Sequence, residues 1–450
     1  MRSKKLRVVV SLAVSGLAAV LVTVTATGAG GQAPVGSGKG SAVKSVCGLG
    51  NGKAAKGKPI VLGGIFTKNP GIDFSTIGKM ADAYFKCVNT NGGINGRPIK
   101  YIIYTEADEP DRLASLAVKL ATSDKALAIV GNTSDLDCII NQKFYEKNGF
   151  IVIGAGVAAP CFTTPNFAMV NMGPHYSNTG AAQALVRAGA KSVVVYASNV
   201  PGANPYYDNG AVAVGKRAGL PTSDNYVDVP IQDANSLVLK IVQQAGPGGG
   251  ADFALIPPEG LKVILAATAN NLVDKIHWAG ATPFNSQFIA DAMGPEWNGK
   301  FLVNAEFDLI TSKKPDARLW QQLIKKYEPK CPDCNGSFGQ MGFLVGKIVT
   351  YTLLALPPSQ LTRKGVNKAF LRIKNFKSDM LCKPFYVGKL KYHIPNNTDR
   401  TVVPVDHKFV QKEGCFPIAA VDPELVQTRK WEKQFKLTSG TSWPPQPGQK

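Results

Sequence analysis

The run Ile60-Val-Leu-Gly-Gly-Ile-Phe66 and the residues that follow it decide the fold. The run is apolar throughout, which is typical of a strand buried on both faces of a parallel sheet. After a short turn, apolar residues recur at helical spacing over residues 77–89. Six of them form one stripe: Ile77, Met80, Ala81, Tyr84, Phe85 and Val88. A buried strand followed by an amphipathic helix is the repeating unit of an α/β sheet.

The same unit recurs further along the chain. Strands are predicted at 101–104, 126–130 and 150–153, with helices at 111–123 and 134–147. A second series places helices at 180–187, 207–218, 237–244 and 261–270 and strands at 192–196, 224–229 and 251–256. Later helices are predicted at 319–327, 338–356 and 362–373, and the chain beyond them is expected to be loop-rich. We therefore predict an α/β protein with two doubly wound parallel-sheet lobes.

Such sheets bind ligands outside the carboxyl ends of their strands, and two facing lobes place these ends across a cleft. The loops expected at the cleft are residues 67–75, 131–135, 154–160, 197–207, 257–260 and 280–285.

The charge is concentrated at the amino terminus. Residues 1–58 carry nine Lys or Arg and no Asp or Glu, so the remainder holds 42 basic and 31 acidic side chains, a net charge of +11 out of the total of +20. The remainder lacks the basic runs with interleaved aromatics that follow a phosphate backbone, so no nucleic-acid partner is expected. The four His lie far from one another and from every Cys. Neither a metal site nor a cofactor is predicted.

The first residues are typical of an exported protein. Met-Arg-Ser-Lys-Lys-Leu-Arg precedes an apolar run over residues 8–22, which predicts a signal peptide over residues 1–29, cleaved after Ala29 or Ala33. The alternative is an uncleaved anchor, since residues 8–29 are just long enough to span a bilayer. Residues 30–58 are predicted to be a flexible leader rich in Gly, Ser and Lys, and residues 426–450 a C-terminal tail. The expected location is the cell envelope, of the periplasmic type, or outside the cell.

Export places the eight Cys in an oxidising compartment, where an even number favours disulfides. Sequence alone does not choose among the pairings, and we expect each Cys to join its nearest neighbour. The expected pairs are Cys47–Cys87, Cys138–Cys161, Cys331–Cys334 and Cys382–Cys415. Cys331-Pro-Asp-Cys334 also has the spacing of a redox pair, but it follows a predicted helix rather than opening one after a strand. A structural bridge is therefore favoured there.

No catalytic motif stands out. Gly210-Ala-Val-Ala-Val-Gly215-Lys216-Arg217 has the spacing of a phosphate-binding loop, but Arg217 stands where a Ser or Thr must hold Mg²⁺. Gly154-Ala-Gly156 resembles the start of a dinucleotide fingerprint, but Pro160 interrupts the helix that should follow. There is no Gly-x-Ser-x-Gly elbow, and His175 is expected to be structural. We therefore do not expect an enzyme.

Five stretches carry a resemblance to a known family. They are Ile60-Val-Leu-Gly-Gly-Ile, Cys87-Val-Asn-Thr-Asn-Gly-Gly-Ile-Asn-Gly-Arg97-Pro-Ile, Tyr101-Ile-Ile-Tyr-Thr, residues 108–119, and Ala126-Leu-Ala-Ile-Val-Gly131. On these residues the chain resembles the type I periplasmic-type solute-binding proteins of ABC importers, in the branched-chain amino-acid (leucine/isoleucine/valine-binding) group. The second stretch is the most specific, because its glycines allow a tight helix exit with positive φ. The resemblance covers about residues 59–410 and is strong up to Gly156.

The resemblance implies two lobes joined by a three-strand hinge, with crossings near His175, Asn304 and Leu381. Lobe 1 would comprise residues 59–174 and 305–380, and lobe 2 residues 175–304 and 381–425. It also implies that the hinge closes on the ligand.

In that family the ligand carboxylate is held by backbone N–H groups and hydroxyls of the first lobe. The matching positions are Asn132, Thr133, Ser134, Ala155, Gly156 and Val157, the last replacing a family threonine. Ser134 is equally explained as a helix N-cap.

The second lobe of the family supplies a tyrosine and a carboxylate for the α-amino group. The matching positions here are Pro257, Glu259, Thr282 and Phe284, so the tyrosine and the acid are missing unless Glu259 substitutes. A buried ammonium without a counter-charge is costly, which argues against an ordinary α-amino acid and favours a neutral or anionic ligand. Apolar walls are expected from Phe74, Tyr206, Tyr207 and Phe284, with Gln340 where many relatives have an aromatic residue.

These observations predict an exported, monomeric binding protein without a cofactor. It would capture a small molecule, either amino acid-like, an amide or an organic carboxylate, and deliver it to a membrane ABC permease. The alternative is a ligand-sensing receptor domain for a membrane partner, because the same lobed fold serves receptors. An exported enzyme is disfavoured by the lack of a nucleophile paired with a base.

Overall fold

The computed structural model describes residues 45–200, 202–387, 391–392 and 394–435. The predicted signal peptide, residues 30–44 of the predicted leader and residues 436–450 of the predicted tail lie outside the described residues.

The first sheet is built around the apolar run of residues 60–66. Its strands are β1 (Ile60–Asn69), β2 (Ile72–Asp73), β3 (Ile99–Glu106), β4 (Ala128–Ile129), β5 (Val152–Gly154) and β6 (Phe167–Met169). Its helices are α1 (Ser75–Asn89), α2 (Pro110–Thr122), α3 (Asp137–Ile140), α4 (Gln142–Lys147) and α5 (Pro160–Thr163). β1 pairs in parallel with β3 on one side and β4 on the other, and a bridge from Val130 to Ile153 leads on to β5 and β6.

The second sheet follows the same plan. Its parallel strands are β7 (Val193–Ser198), β8 (Thr222–Val227), β9 (Gly250–Ala254), β10 (His277–Gly280) and β11 (Phe301–Asn304). The accompanying helices are α6 (Gly173–Arg187), α7 (Asn209–Arg217), α8 (Ala234–Ala245), α9 (Pro257–Ala269) and α10 (Gln287–Ala292). These five strands pair in parallel, as predicted, and β7, β9 and β11 are fully buried, so the α/β fold class is confirmed.

The remaining chain returns to both sheets. Three helices come first, α11 (Pro315–Tyr327), α12 (Ser337–Leu354) and α13 (Arg363–Phe370). α1 and α12 then pack through a T-shaped contact between Tyr84 and Phe343, whose ring centroids are 5.2 Å apart. The antiparallel strands β12 (Thr398–Val405) and β13 (Lys408–Pro417) extend the second sheet beyond β11, and α14 (Pro423–Phe435) follows. The expectation of loops in this region was wrong for these two strands.

The chain thus passes between the two sheets three times, after β6, after β11 and before β12. The second and third connections are hydrogen-bonded: Ala305 N–H donates to the Arg400 carbonyl at 2.8 Å, and Arg400 N–H returns the bond at 3.2 Å. A further bridge joins Phe307 to Leu381.

The predicted helix over residues 134–147 is broken. It is replaced by α3 and α4, which meet at Asn141. The Ser134 hydroxyl accepts from the Leu136 and Asp137 N–H groups at 3.2 Å each, and Asp135 N–H donates to the Thr67 hydroxyl at 3.1 Å. These side chains hydrogen-bond to the backbone N–H groups of residues 135–137. The start of the predicted helix can therefore adopt a non-helical conformation without leaving those N–H groups unpaired.

Both predicted terminal boundaries need correction. Within the predicted leader, Cys47 is only 3% exposed, and the Tyr351 hydroxyl donates to the Val46 carbonyl at 2.9 Å. Residues 45–47 therefore pack on the first lobe. The predicted tail begins inside α14, which buries Leu425, Thr428 and most of Glu432. These positions lie on one face of a helix, a spacing that the sequence contained and that the prediction overlooked.

Four disulfides are present: Cys47–Cys87, Cys138–Cys161, Cys331–Cys334 and Cys382–Cys415. They are the four nearest-neighbour pairs expected from the sequence. The positive φ expected at the exit of α1 is also found, at Gly92 (+97°) and Gly96 (+81°). Among the described residues, no helix has both the length and the apolar character required to cross a membrane.

A buried ion pair joins α11 to α12. Lys347 Nζ lies 2.6 Å from both carboxylate oxygens of Asp316, and the two side chains are 1% and 2% exposed. Ser45 and Ser378 also donate to this carboxylate. Burial alone would raise the pKa of Asp316, but the charge of Lys347 and these hydrogen bonds keep the pKa below its usual value. Asp316 is therefore ionised in the folded protein.

Replacing Asp316 by Asn should destabilise the protein by about 3–5 kcal/mol, because the Lys347 ammonium is left buried without its counter-charge. Urea denaturation followed by circular dichroism measures this loss. The matched control is Asp274→Asn, at a pair with Lys300 in which Asp274 is 74% exposed. That control should change stability by less than about 1 kcal/mol. Equal effects of the two substitutions would contradict the assignment.

Candidate functional site

A cavity lies between the two lobes, at the carboxyl ends of their strands. About 500 Å³ of space there is not filled by protein atoms, a figure that includes open solvent at the mouth. The first lobe contributes Phe74, Ile77, Thr133, Ala155, Gly156, Val157, Phe338 and Met341. The second contributes Ser177, Tyr207, Ala254, Leu255, Ile256, Ala281, Thr282 and Pro283, and the connections add Asn171, Gly173, Pro174 and Glu306.

Half of the ligand-binding residues predicted from the sequence lie at this cavity. They are Phe74, Thr133, Ala155, Gly156, Val157, Tyr207 and Thr282. Phe74 packs edge-on against Phe338, with ring centroids 5.7 Å apart, so these two rings form one apolar wall.

The other predicted residues do not line the cavity: Asn132, Ser134, Tyr206, Pro257, Glu259, Phe284 and Gln340. Asn132 is bound into the core of lobe 1, because its side chain accepts from Ile65 N–H at 2.9 Å and donates to Asp137 at 2.8 Å. Ser134 is not the N-cap of α3, which is Leu136, but its hydroxyl accepts from the Leu136 and Asp137 N–H groups ahead of that helix and donates to Glu106 at 2.9 Å.

The aromatic and amide candidates are used in packing. Tyr206 stacks on His175, with centroids 4.4 Å apart and planes 11° apart. Phe284 is buried against Phe301, 5.3 Å away. Gln340 donates to the Asp308 carbonyl at 2.8 Å. Pro257 is the first residue of α9.

Glu259 is also committed elsewhere. Its carboxylate accepts from Ile231 N–H at 2.5 Å and from Lys262 Nζ at 2.9 Å. Because Lys262 lies one helical turn away and already neutralises it, Glu259 does not supply the counter-charge that the sequence suggested.

Three of the six backbone N–H groups expected to hold a carboxylate donate to other groups of the protein. Ala155 N–H donates to the Asn132 carbonyl at 3.0 Å, and Thr133 N–H donates to the Ile65 carbonyl at 3.1 Å. Gly156 N–H donates to the Asn171 side chain at 2.8 Å. These three N–H groups are therefore already paired within the protein.

A hydrogen-bonded network fixes the opposite wall. The Ser177 hydroxyl donates to the Thr282 hydroxyl at 2.9 Å and accepts from Thr282 N–H at 2.6 Å. Asn304 donates to the Thr282 hydroxyl at 2.9 Å. These bonds join α6, the turn after β10 and the end of β11 beneath the cavity.

Glu306 is the acidic residue at the cavity, and the sequence analysis missed it. It is 1% exposed, and its Oε2 accepts from Met172 N–H at 2.5 Å and from Asn396 Nδ2 at 3.1 Å. Burial raises its pKa to about 8. The sequence analysis found the family acid missing at the matching positions unless Glu259 substitutes, and Glu306 lies at a different position. Its position two residues after β11, at a carboxyl strand end, is the feature that would have identified it.

His175 has both ring nitrogens engaged. Nδ1 lies 2.7 Å from the Tyr206 carbonyl, and Nε2 lies 2.9 Å from Asp422. Both contacts are to groups outside the cavity, which agrees with the expected structural role.

Comparison with known proteins agrees with this geometry. A family model described as periplasmic binding protein matches residues 71–402. The chain belongs to this family of binding proteins. A curated "Amino acid binding protein" from Pseudomonas aeruginosa is 36% identical over 76 residues, a match that spans 17% of this chain and only 20% of that protein.

Solved structures of periplasmic-type binding proteins share the fold. A branched-chain amino acid ABC transporter protein from Thermus thermophilus, with bound valine, aligns with a TM-score of 0.71 at 15% identity, covering 84% of this chain and 100% of that one. An R. palustris solute-binding protein of an ABC transporter, in complex with benzoate, aligns with a TM-score of 0.66 at 18% identity, covering 81% and 98%. The predicted resemblance is thereby confirmed.

Replacing Ser177 by Ala should cost about 1–3 kcal/mol, because Thr282 N–H loses its acceptor in a buried site. Denaturant titration measures the change. Ser115→Ala is the matched control, since the Ser115 hydroxyl donates to the Asp111 carbonyl on an exposed helix face. The control should lie within about 0.5 kcal/mol of the parent protein. A Ser177 variant as stable as the control would show that the network does not support the cavity wall.

Proposed function

We propose that the chain is an exported solute-binding protein, which captures a small molecule between its lobes and delivers it to a membrane ABC importer. One observation carries the proposal: the cavity is lined by both lobes and by two of the connections between them. A ligand placed there contacts both lobes at once, so its binding energy favours the closed arrangement over an open one.

The lining suggests a compact ligand with an apolar body and a small polar head. Aliphatic and aromatic side chains such as Ile77, Val157, Ile256 and Phe338 supply most of the surface. We propose an amino acid-like compound, an amide or an organic carboxylate. The two solved relatives hold valine and benzoate, which are compact molecules, and this supports the proposed classes of ligand.

We further propose that the ligand leaves unchanged. No Cys or His is among the described residues that line the cavity, and the Ser177 hydroxyl is bonded to Thr282 rather than to a base. A nucleophile without an adjacent base is not activated for covalent catalysis.

The proposed lobe limits are residues 59–174 with 305–380, and 175–304 with 381–425. They support a monomer acting with a permease, because a single chain provides both walls of the cavity. Export and delivery are the properties that the family name implies.

A thermal-shift panel tests the proposal. Branched-chain amino acids, amides, and aromatic and short-chain carboxylates are added to the full chain. A true ligand should raise the melting temperature in a dose-dependent way, because binding at a hundred times Kd stabilises the folded state by about 2.7 kcal/mol. Incubation followed by mass spectrometry should return the same molecule.

Ala281→Leu supplies the specificity control. Ala281 is buried and lines the cavity, so three added carbons occupy ligand space and should abolish the shift. Ala218→Leu, at the exposed end of α7, should leave the shift intact. A ligand whose shift survives Ala281→Leu binds elsewhere, and that result would contradict the proposed site.

A further inference from the structure

We propose that one end of lobe 1 is a docking surface for the headgroups of an anionic phospholipid bilayer. This surface, which we call the basic edge, consists of the residues that precede or begin β1, β3, β4, β5 and β6, together with α13 and its flanks. They are residues 53–59, 95–100, 123–127, 146–151, 165–166 and 355–372. The inference goes beyond the proposed function, because the cavity lies at the carboxyl ends of the strands and the basic edge at their amino ends.

Hydrogen bonds join the segments of the basic edge into one surface. Arg97 Nε donates to the Lys58 carbonyl at 2.7 Å, which links the residues before β3 to those before β1. Asn367 of α13 donates to the Leu127 carbonyl at 3.0 Å and accepts from Ile151 N–H at 2.7 Å, which links α13 to the residues before β4 and β5. Because parallel strands have their amino ends at one edge of a sheet, charges on these segments act together.

The basic edge carries 11 Lys or Arg and only two Asp or Glu. Nine of the basic side chains are exposed: Lys53, Lys56, Lys58, Lys100, Lys125, Lys147, Lys364, Lys368 and Arg372. None of the eleven forms a salt bridge with a described residue. Of the two acids, Asp124 accepts from the Tyr104 hydroxyl at 2.9 Å. The positive charge is therefore available to an anionic partner.

Two of these cations stand where they do not stabilise the fold. Arg363 and Lys364 are the first two residues of α13, whose first turn contains no acidic residue. The helix dipole is positive at that end, so a cation there destabilises the helix. Arg363 is held by other contacts, since it stacks over Phe150 at 4.6 Å and donates to the Ala126 carbonyl at 3.2 Å. Lys364 is exposed and makes no hydrogen bond or salt bridge to a described residue, so an external anion accounts better for its charge.

An open groove with a largely apolar lining crosses the basic edge, between α13 and the residues before β5 and β6. Ile151, Pro165 and Leu371 supply apolar surface, and Lys364 and Lys368 also line the groove. A bilayer offers anionic headgroups with an apolar layer directly beneath them, whereas a soluble polyanion offers charge alone. The combination of cations and apolar surface therefore favours a bilayer as the partner.

The opposite edge of lobe 1 has the reverse charge. Its loops after the strands are residues 67–75, 106–109, 131–135 and 154–160. They carry one Lys, Lys68, and five Asp or Glu. Burial raises the pKa of Asp108 and Asp135, yet the three remaining acids still outnumber Lys68. An anionic bilayer would therefore attract the basic edge and not the cavity side, which leaves the cavity facing away from the bilayer for ligand uptake.

Flotation of the full chain with vesicles tests the inference. Vesicles of equal parts phosphatidylglycerol and phosphatidylcholine are compared with vesicles of phosphatidylcholine alone, and the ratio of the two partition coefficients is measured. The comparison accounts for binding through the apolar run of residues 8–22, to which both kinds of vesicle are open. The parent chain should give a ratio of at least about 100, because each Lys or Arg near an anionic surface contributes about fivefold. Salt at about 1 M, where the Debye length is about 3 Å, should bring the ratio close to one.

The variant Lys364→Glu/Lys368→Glu/Arg372→Glu reverses three exposed charges of the basic edge. It should lower the ratio at least about thirtyfold, since three contributions of about fivefold each are lost. The matched control is Lys216→Glu/Lys240→Glu/Lys275→Glu, which makes the same change in net charge at three exposed residues of lobe 2. The control should change the ratio by less than about threefold, because these residues lie outside the basic edge.

A parent ratio near one, a ratio that persists in molar salt, or equal losses in the two variants would overturn the inference. Soluble polyphosphate that binds the parent chain more tightly than vesicles do, at matched phosphate, would overturn the bilayer as the partner. The salt series needs no variant, so it decides the matter even if the triple variant does not fold. The triple variant should keep the thermal shift given by any cavity ligand, so failure of vesicle binding leaves the proposed function standing.

Discussion

Hydrogen bonding between the three inter-sheet connections is the constraint on which the site depends. Ala305 and Arg400 exchange backbone bonds, and Met172 N–H donates to Glu306. Because the connections are held together, the carboxyl ends of both parallel sheets lie around the same space. Residues that follow β4, β5, β9 and β10 therefore line one cavity, together with Asn171 and Glu306 of the connections.

The polarity of that space follows from how the neighbouring backbone is satisfied. The Ala155 and Thr133 amides are bonded within the first lobe, and Ser177 fixes Thr282 in the second. Buried donors rarely remain unpaired, so loops that pair with one another have little left for a ligand. Among the side chains at the cavity, Glu306 stands out because its carboxyl group is buried there without a cationic partner among the described residues.

Much of the fold could be predicted, because the spacing of apolar residues along the chain indicates which face of a strand or helix is buried. The apolar run at residues 60–66 became the central strand of the first sheet, and the four disulfides joined nearest neighbours. The predictions failed where side chains compete for backbone donors, as Ser134 does at the broken helix before Asn141. They failed again in α14, whose buried face of Leu425, Thr428 and Glu432 is only partly apolar.

By itself, the sequence determined the order of strands and helices and the edge of each sheet at which a ligand would bind. Which acidic residue faces that ligand was decided by tertiary structure. Glu259 and Glu306 both follow apolar strands, yet Glu259 is bonded to Ile231 N–H, 28 positions away, and to Lys262. Glu306 is instead bonded to Met172, 134 positions away, and faces the cavity. The reason is that the contacts of a buried carboxylate are made with residues that only folding brings close. Because those residues are far away along the chain, no local sequence pattern predicts the contacts.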